Sequence, residues 1–330
     1  MTEIIGHDIE IGLAVENNRG TAEAVAEKWL KKTTANIVDR VTHAIDDNSH
    51  GVLEDSDNRR VVQKWFDGDI PNSIADADAI GYLLYNIYGA VVSGVVTGSV
   101  YSHAFSIAQN IQHPSLSIFA KDGSVQQAVF GLGMVNTLEI SASSEDYVRF
   151  TANIIAATES ANADTPDYDD QYDWIGADIA IKIADTEAGL SGATAQKVKN
   201  IVIKWDQGII RDHVLGSYNS DDNYNSKASL EIEFTKNFSD EVFKDLFNSD
   251  NSKYLQIVIA GSQDIGSGNH PTLTLVLNKA MVTAWDRKGE KDALVEETVT
   301  VKAFYNATDG EAHTLTLKNL TTEYDKPISA

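Results

Sequence analysis

His113-Pro114-Ser115-Leu116-Ser117-Ile118 and, further along, His270-Pro271-Thr272-Leu273-Thr274-Leu275 read as one element written twice. Proline fixes its own φ and drives the preceding residue towards extended backbone, so His-Pro suits the first residues of a strand. Beyond it the chain alternates, with Leu116 and Ile118 against Ser115 and Ser117, then Leu273, Leu275 and Leu277 against Thr272 and Thr274. Period two predicts a strand with one face buried and the other wet. The test of a duplication is whether the flanking elements recur in the same order.

Working outward, residues 9–15 read as an opening strand, and residues 21–30 fit either a short Thr21-capped helix or a surface loop. Residues 35–44 and 60–66 are strands around a polar excursion from Asp46 to Asn58, the second closing at Asp67-Gly68. Ser73 with Asp76 at the capping-box spacing, then Ile80, Leu83, Leu84 and Ile87, predicts a helix that Gly89 stops. Apolar segments 90–96 and 100–107 lead into the first His-Pro strand, and strands at 135–142 and 147–157 follow. The second half offers strands at 175–184 and 198–205, a polar excursion at 208–226 and a strand at 227–234. A Ser239-capped helix burying Phe243, Leu246 and Phe247 comes next, then the second His-Pro strand, a long strand at 295–305 and an added strand at 313–320. Between the halves, residues 160–173 hold Pro166, five aspartates and no aliphatic residue larger than alanine, which reads as a solvated linker. The expected organisation is a first domain at 1–160, an acidic linker at 161–173 and a second domain at 174–330.

The 330 residues carry 26 basic and 49 acidic side chains, a net charge of −23. Gripping phosphates needs basic clusters, so this balance argues against tight nucleic-acid binding, though not against lying beside DNA. A saline habitat favours the same acidity. With no cysteine there is neither a disulfide staple nor a thiolate metal site. Residues 1–8 lack a basic stretch followed by an apolar core, and no apolar run approaches about 18 residues, so a soluble, unprocessed, non-membrane chain is expected.

Residues that invite chemistry have plainer readings. His103 and His113 with Asp122 match no nucleophile, base and orienter spacing. Asp164, Asp167, Asp169, Asp170 and Asp173, or Asp221 and Asp222 near Asn219 and Asn223, offer hard oxygens for calcium but lack an EF-hand's spacing and terminal Glu. Gly131-Leu132-Gly133 has no third glycine for a dinucleotide turn. Tyr82, Tyr85 and Tyr88 fit packing against a sheet or a neighbouring subunit better than ligand stacking. No catalytic residue, cofactor or metal is expected.

From about Ile11 to Tyr324 the arrangement resembles the tail tube proteins of long-tailed, siphovirus-like bacteriophages. The residues that carry the resemblance in the first half are Glu16 with Gly20-Thr21, Phe66-Asp67-Gly68, Ile80-Gly81-Tyr82-Leu83-Leu84 through Gly89, His103-Ala104-Phe105 and His113-Pro114-Ser115. In the second half they are Leu230-Glu231-Ile232, Asn269-His270-Pro271, Lys279-Ala280, Val295-Glu296-Glu297-Thr298, and Leu315-Thr316-Leu317-Lys318-Asn319 with Tyr324. The resemblance implies a mainly β fold of two tandem tail-tube-type β-sandwich or split-barrel domains, each with a flanking α-helix and without an added immunoglobulin-like module. It further implies a non-enzymatic virion protein, assembled in the host cytoplasm, whose rings stack into the hollow tail tube that conducts DNA during ejection. Relatives form six-subunit rings of one fold or three-subunit rings of two folds with pseudo-sixfold symmetry, and a duplicated chain favours the second. Tail-tip, tape-measure and tail-terminator proteins are the implied partners.

Elementary physics fits that picture. A sheet pair with open edges invites pairing, and closing a ring with copies of the chain removes the edges. Glu139, Glu231 and Glu233 on polar strand faces are candidates to line the channel and repel DNA within about 10 Å at 0.1 M salt. Asp46, Asp47 and Asn58 in the first excursion, and Tyr218, Asp221, Asp222 and Tyr224 in the second, are candidates to reach the next ring. The rival reading is a carbohydrate-binding β-sandwich, a surface or adhesin module that stacks sugars on the Tyr218–Tyr224 loop; the absence of an export signal weighs against it.

Overall fold

The computed structural model describes residues 3, 5–31, 33–36, 38–47, 51, 53–123 and 125–326, so residues 48–50 and 52 of the first excursion lie outside the described residues. Strand outweighs helix by 53% to 8%, and the protein is mainly β. The first half comprises β1 (Ile9–Val15), β2 (Lys28–Leu30), β3 (Asp39–Asp46), β4 (Asn58–Ile74), α1 (Ile80–Tyr88), β5 (Gly89–Thr97), β6 (Val100–Ile107), β7 (Leu116–Asp122), β8 (Gln126–Ser143), β9 (Arg149–Ala156) and β10 (Glu159–Ala161). In the second half are β11 (Ile179–Ala184), β12 (Val198–Asp206), β13 (Ile210–Asp212), β14 (Asp222–Tyr224), β15 (Ser229–Asn237), α2 (Val242–Phe247), β16 (Lys253–Ala260), β17 (Thr272–Lys288), β18 (Glu296–Ala303) and β19 (His313–Asn319).

Apart from the small β13–β14 ribbon, the strands form one continuous antiparallel ladder. Two long strands make it continuous. β8 pairs with β7 over its first part and with β9 over its second, shifting register between Val135 and Thr137. β17 treats β16 and β18 in the same way, shifting between Val282 and Ala284. A bulge bends and twists its strand, so each of these strands passes from one layer of sheet to another. The pairing order β1-β7-β8-β9-β4-β3 of the first half therefore returns as β11-β16-β17-β18-β15-β12.

That order corrects the His-Pro correspondence. β7, which follows His113-Pro114, answers to β16, whereas the strand that His270-Pro271 opens, β17, answers to β8. The echo that does follow the pairing is Ile5-Gly6-His7-Asp8-Ile9-Glu10-Ile11 with Ile175-Gly176-Ala177-Asp178-Ile179-Ala180-Ile181. Each is a 3-10 turn opening a strand, with the Asp8 and Asp178 amides donating to Ile5 and Ile175 carbonyls at 2.9 Å in both. A second echo, Met134-Val135 with Leu138-Glu139 against Met281-Val282 with Trp285-Asp286, straddles the two bulges. The wet face foreseen for β7 is also corrected: Ser115 and Ser117 are buried and donate their hydroxyls to the Glu16 carboxylate.

The halves are joined at two seams. The second part of β8 also pairs with β12, giving the order β3-β4-β9-β8-β12-β15-β18-β17 across one sheet. The β5–β6 hairpin of the first half extends the other layer of the second half through β19. One contiguous apolar core runs through both halves, with Leu13, Ile118, Phe130, Leu138, Phe150, Ile203, Phe234, Leu275 and Leu315 among its members.

Helix α1 lies inside this core and not on a flank, since all nine of its residues are buried. Ser73 does not cap it: it lies in β4, its hydroxyl 2.5 Å from that of Thr33, while Asp76 faces Lys28 at 3.4 Å. Gly89 does end the helix, adopting φ 80° and donating its N–H to the Tyr85 carbonyl. In α2 the capping acceptor is Asp240 in place of Ser239, taking the Val242 N–H at 3.2 Å, and Phe247 stays 43% exposed. The linker is tied down as well: Asp164 accepts the Ala26 N–H at 2.8 Å, and Trp174 just beyond it is fully buried and donates to the Pro271 carbonyl.

Gly81 faces the Tyr324 ring, where an added Cβ would come within 2.0 Å of it. Helix propensity alone would make Gly81→Ala stabilising by about 1 kcal/mol, but overpacking a buried ring costs about 1–3 kcal/mol. Gly81→Ala should therefore lower the urea midpoint, and Gly81→Ala with Tyr324→Leu should be less destabilised than the two separate losses summed.

Candidate assembly surfaces

On the solvent side of the eight-stranded sheet, cross-strand register sets charges in a row. Glu139 of β8 lies opposite Lys204 of β12, Lys204 opposite Glu231 of β15, and Glu231 opposite Lys302 of β18, with the Lys302 ammonium 3.2 Å from the Glu231 carboxylate. Glu139 is half-buried here, whereas Glu231 and Glu233 are exposed. Glu233 lies between Val202 and Thr300, with no cation directly opposite. Asp67 and Asp69 of β4 hold the positions in the first half that Glu231 and Glu233 hold in the second, and Asn153 donates to both aspartates. The three glutamates singled out in the sequence thus share one face, and that face alternates in sign over part of its width.

Every residue of β3 is exposed, so β3 and the start of β4 form an arm that bears Asp46, Asp47 and Asn58 at its far end. Val41, Ile45, Leu53 and Val62 add exposed apolar surface to it. The second excursion behaves differently. Its β13–β14 ribbon folds back onto the first half, where the Arg19 guanidinium meets the Asp222 carboxylate at 2.8 Å and donates to the His113 and Asn223 carbonyls. Gln112 also donates to Asp222, and the Asn223 amide donates to the Leu132 carbonyl. Asp222 is therefore buried and Tyr224 half-buried, while Tyr218, at 59% exposure, and Asp221 face solvent. Nothing in the local sequence of residues 208–226 announces Arg19 as a partner, because about 200 residues separate the two ends of that ion pair.

The histidines are structural. His103 is held between the Ser93 hydroxyl at 2.8 Å and the Asn319 side chain at 3.0 Å, and burial lowers its pKa. His113 sits with its ring nitrogens 3.2 and 3.0 Å from the Asn86 and Ala108 carbonyls, while burial alone pushes Asp122 up. Tyr82 packs edge-on to Tyr324, Tyr85 donates to Asp325, and Tyr88 accepts from Trp205. Among the described residues no three His, Cys, Asp or Glu side chains cluster as metal ligands. Among the described residues, too, no helix is long and apolar enough to cross a membrane. Buried polar groups instead tie strands together. Desolvation raises the Glu16 pKa even though its carboxylate accepts from Ser115, Ser117, Leu132 and Gly20, which span β7, β8 and the turn after β1.

Open sheet borders, a projecting arm and a charged sheet face, with buried polar groups spent on cohesion, define a structural protein of the self-assembling kind. Residues 6–303 match the family described as phage tail tube protein, and the chain belongs to that family. It is therefore a component of the virion tail, in a family that assembles with itself and with other tail components. No curated relative matches the sequence.

One buried histidine gives the fold a pH signature. His313, at the start of β19 and edge-on to Tyr88, has its pKa pushed down to about 4 by burial. An unfolded chain protonates this ring below about pH 6.5 while the folded chain resists, so its contribution is complete above that pH and is lost as pH falls towards 4. The loss reaches about 3 kcal/mol for a shift of this size. Across pH 6.5 to 4, the urea midpoint of His313→Phe should fall less steeply than that of the wild type; equal slopes would show that the ring titrates normally.

Proposed function

We propose that the chain holds two tandem tube-type units, residues 1–160 and 174–330 around the acidic linker, and that three copies close a ring of pseudo-sixfold symmetry. Rings stack into the hollow tail tube of a long-tailed phage, and DNA crosses its bore during ejection. The observation that carries this reading is the repeated pairing order, which ends on unlike borders. Among the described residues β3 pairs only with β4, and the second part of β17 pairs only with β18. Unlike ends of one sheet suit head-to-tail joining, which closes a ring where the rotation between successive copies completes a circle. The return of the whole pairing order within one chain favours two units per chain over a hexamer of one-unit chains.

In this arrangement the sheet face with Glu139, Glu231 and Glu233 lines the bore. Lys204 and Lys302 temper the field at Glu139 and Glu231, and Arg40 tempers it at Asp67, so Glu233 and its counterpart Asp69 supply most of the repulsion. Such a wall discourages adhesion without barring passage, since its reach is about 10 Å at 0.1 M salt. Asp46, Asp47 and Asn58 on the arm, with Tyr218 and Asp221 beside its base, face the neighbouring ring. Asp222 and Tyr224 support that surface from within the chain. The tail-tip complex starts the stack, the tape measure sets its length and the terminator caps it.

Negative-stain microscopy of the concentrated protein should show rings or tubes; a monomer under all conditions, seeded ones included, would sink this reading. Phage carrying lysine at Glu139, Glu231 and Glu233 should build tubes of normal appearance and eject DNA more slowly, and an unchanged ejection rate would remove the bore from that face.

A further inference from the structure

The seam inside the chain is a template for the seam between chains. β8 corresponds to β17 and β12 to the segment containing β3, so the β8–β12 pairing has a counterpart that one chain alone cannot make. We infer that the second part of β17 pairs antiparallel with the next copy at Asn36, Val38 and Arg40, in a register fixed by Glu139 opposite Lys204. This rests on the ring reading above and adds its residue-level geometry.

The register follows from the pairings. Superposing the bulges at Asn136 and Thr283 places Asp286 where Glu139 stands, because Glu139 lies opposite Thr151 and Asp286 opposite Thr298. On the other border, Glu231 lies between Lys204 and Lys302, while Asp67, which pairs with Ile155, donates its N–H to the Val38 carbonyl at 3.1 Å. Ile155 pairs with Met134 as Lys302 does with Met281, so Val38 stands where Lys204 does. The inter-chain pair equivalent to Glu139–Lys204 is thus Asp286 opposite Val38 of the neighbour. Two residues along in each direction, Ala284 meets Arg40 and Lys288 meets Asn36.

Charge supports this register. In the template row Lys204 sits between two glutamates. Val38 would sit between Asp286 and Asp67 with no charge of its own, but Arg40, already 3.4 Å from Asp67, lies on the diagonal to Asp286, within reach of a long side chain. One cation again bridges two carboxylates. Slipping the strands by one residue would set Asp286 opposite residues whose side chains point to the other face of the joined sheet, away from Arg40.

With no cysteine in the chain, engineered thiols report the register directly. Directly opposed residues of an antiparallel pair have Cα atoms about 4.5–5.5 Å apart, inside the span of a disulfide, whereas a slip of two residues exceeds it. Assembled Val38→Cys/Asp286→Cys protein, mildly oxidised, should give covalent dimers and trimers on non-reducing gels, and Val38→Cys/Ala284→Cys and Val38→Cys/Lys288→Cys should not. Rings that cross-link only in a control pair, or in none, overturn the register and leave the ring reading standing; absence of rings in the wild type overturns both. Should the thiol variants not assemble, a charge exchange decides: Arg40→Glu and Asp286→Arg should each impair ring formation at least tenfold, and the double variant should recover part of that loss, the rest being held back by Asp67. Failure of that rescue overturns the Arg40–Asp286 bridge.

Discussion

A β-strand is never finished at its own border: each unpaired peptide group must meet another strand, a side chain or water. In this chain that requirement organises the fold. β8 and β17 bend at a bulge and so serve two layers each, β12 continues the sheet that β8 would otherwise end, and β6 lies along β19. The ladder links strands from β1 to β19, and the two ends of its eight-stranded sheet, β3 and the second part of β17, lie far apart in sequence.

Between the layers the core is polar where strands must be held in place. The Asn86 side chain, fully buried on α1, donates to the Pro114 and Gly133 carbonyls and accepts from the Val135 amide and from Gln207, joining four separate stretches of chain. Each such bond contributes about 1 kcal/mol net, but leaving any partner unmade costs about 1–3 kcal/mol, so the network selects one arrangement of strands more than it adds stability. At one set of equivalent positions the two halves differ. Lys236 and Glu297 form a buried ion pair at 3.4 Å, with Trp285 donating to the same carboxylate, at positions held by Ser73, Phe150 and Leu138 in the first half. Burying such a pair adds little net stability, but it penalises any register that separates the charges.

Much of the strand pattern was legible locally. Alternation located β1, β9, β12 and β15, and Gly89 marked the end of α1, because these depend on neighbours in sequence. What escaped depends on distance. Ser115 and Ser117 read as a wet face because their acceptor, Glu16, lies about a hundred residues upstream. The polar run at 208–226 read as an open loop because Arg19 and Leu132, which bury Asp222 and Asn223, belong to the other half. Ser73 looked like a helix cap by spacing, but β4 runs on to Ile74 and takes it into a strand. The duplication was sought at His-Pro, a device that suits the start of any strand, while the turn from Ile5 to Asp8 and its echo at Ile175 to Asp178 was in plain view. The acidic face was readable residue by residue; its interleaved lysines were not, since cross-strand register is absent from a linear text.

The separation of the two open borders has a bearing on biosynthesis. In the ring proposed above, the arm of β3 and β4 leaves the ribosome early, but the border it would join on β17 is not made until residue 288, and stands in place only when β18 has paired with it. A nascent or truncated chain therefore carries one joining border without the other and can only terminate a growing assembly. For such a ring, polymerisation competence would be acquired only at the end of translation.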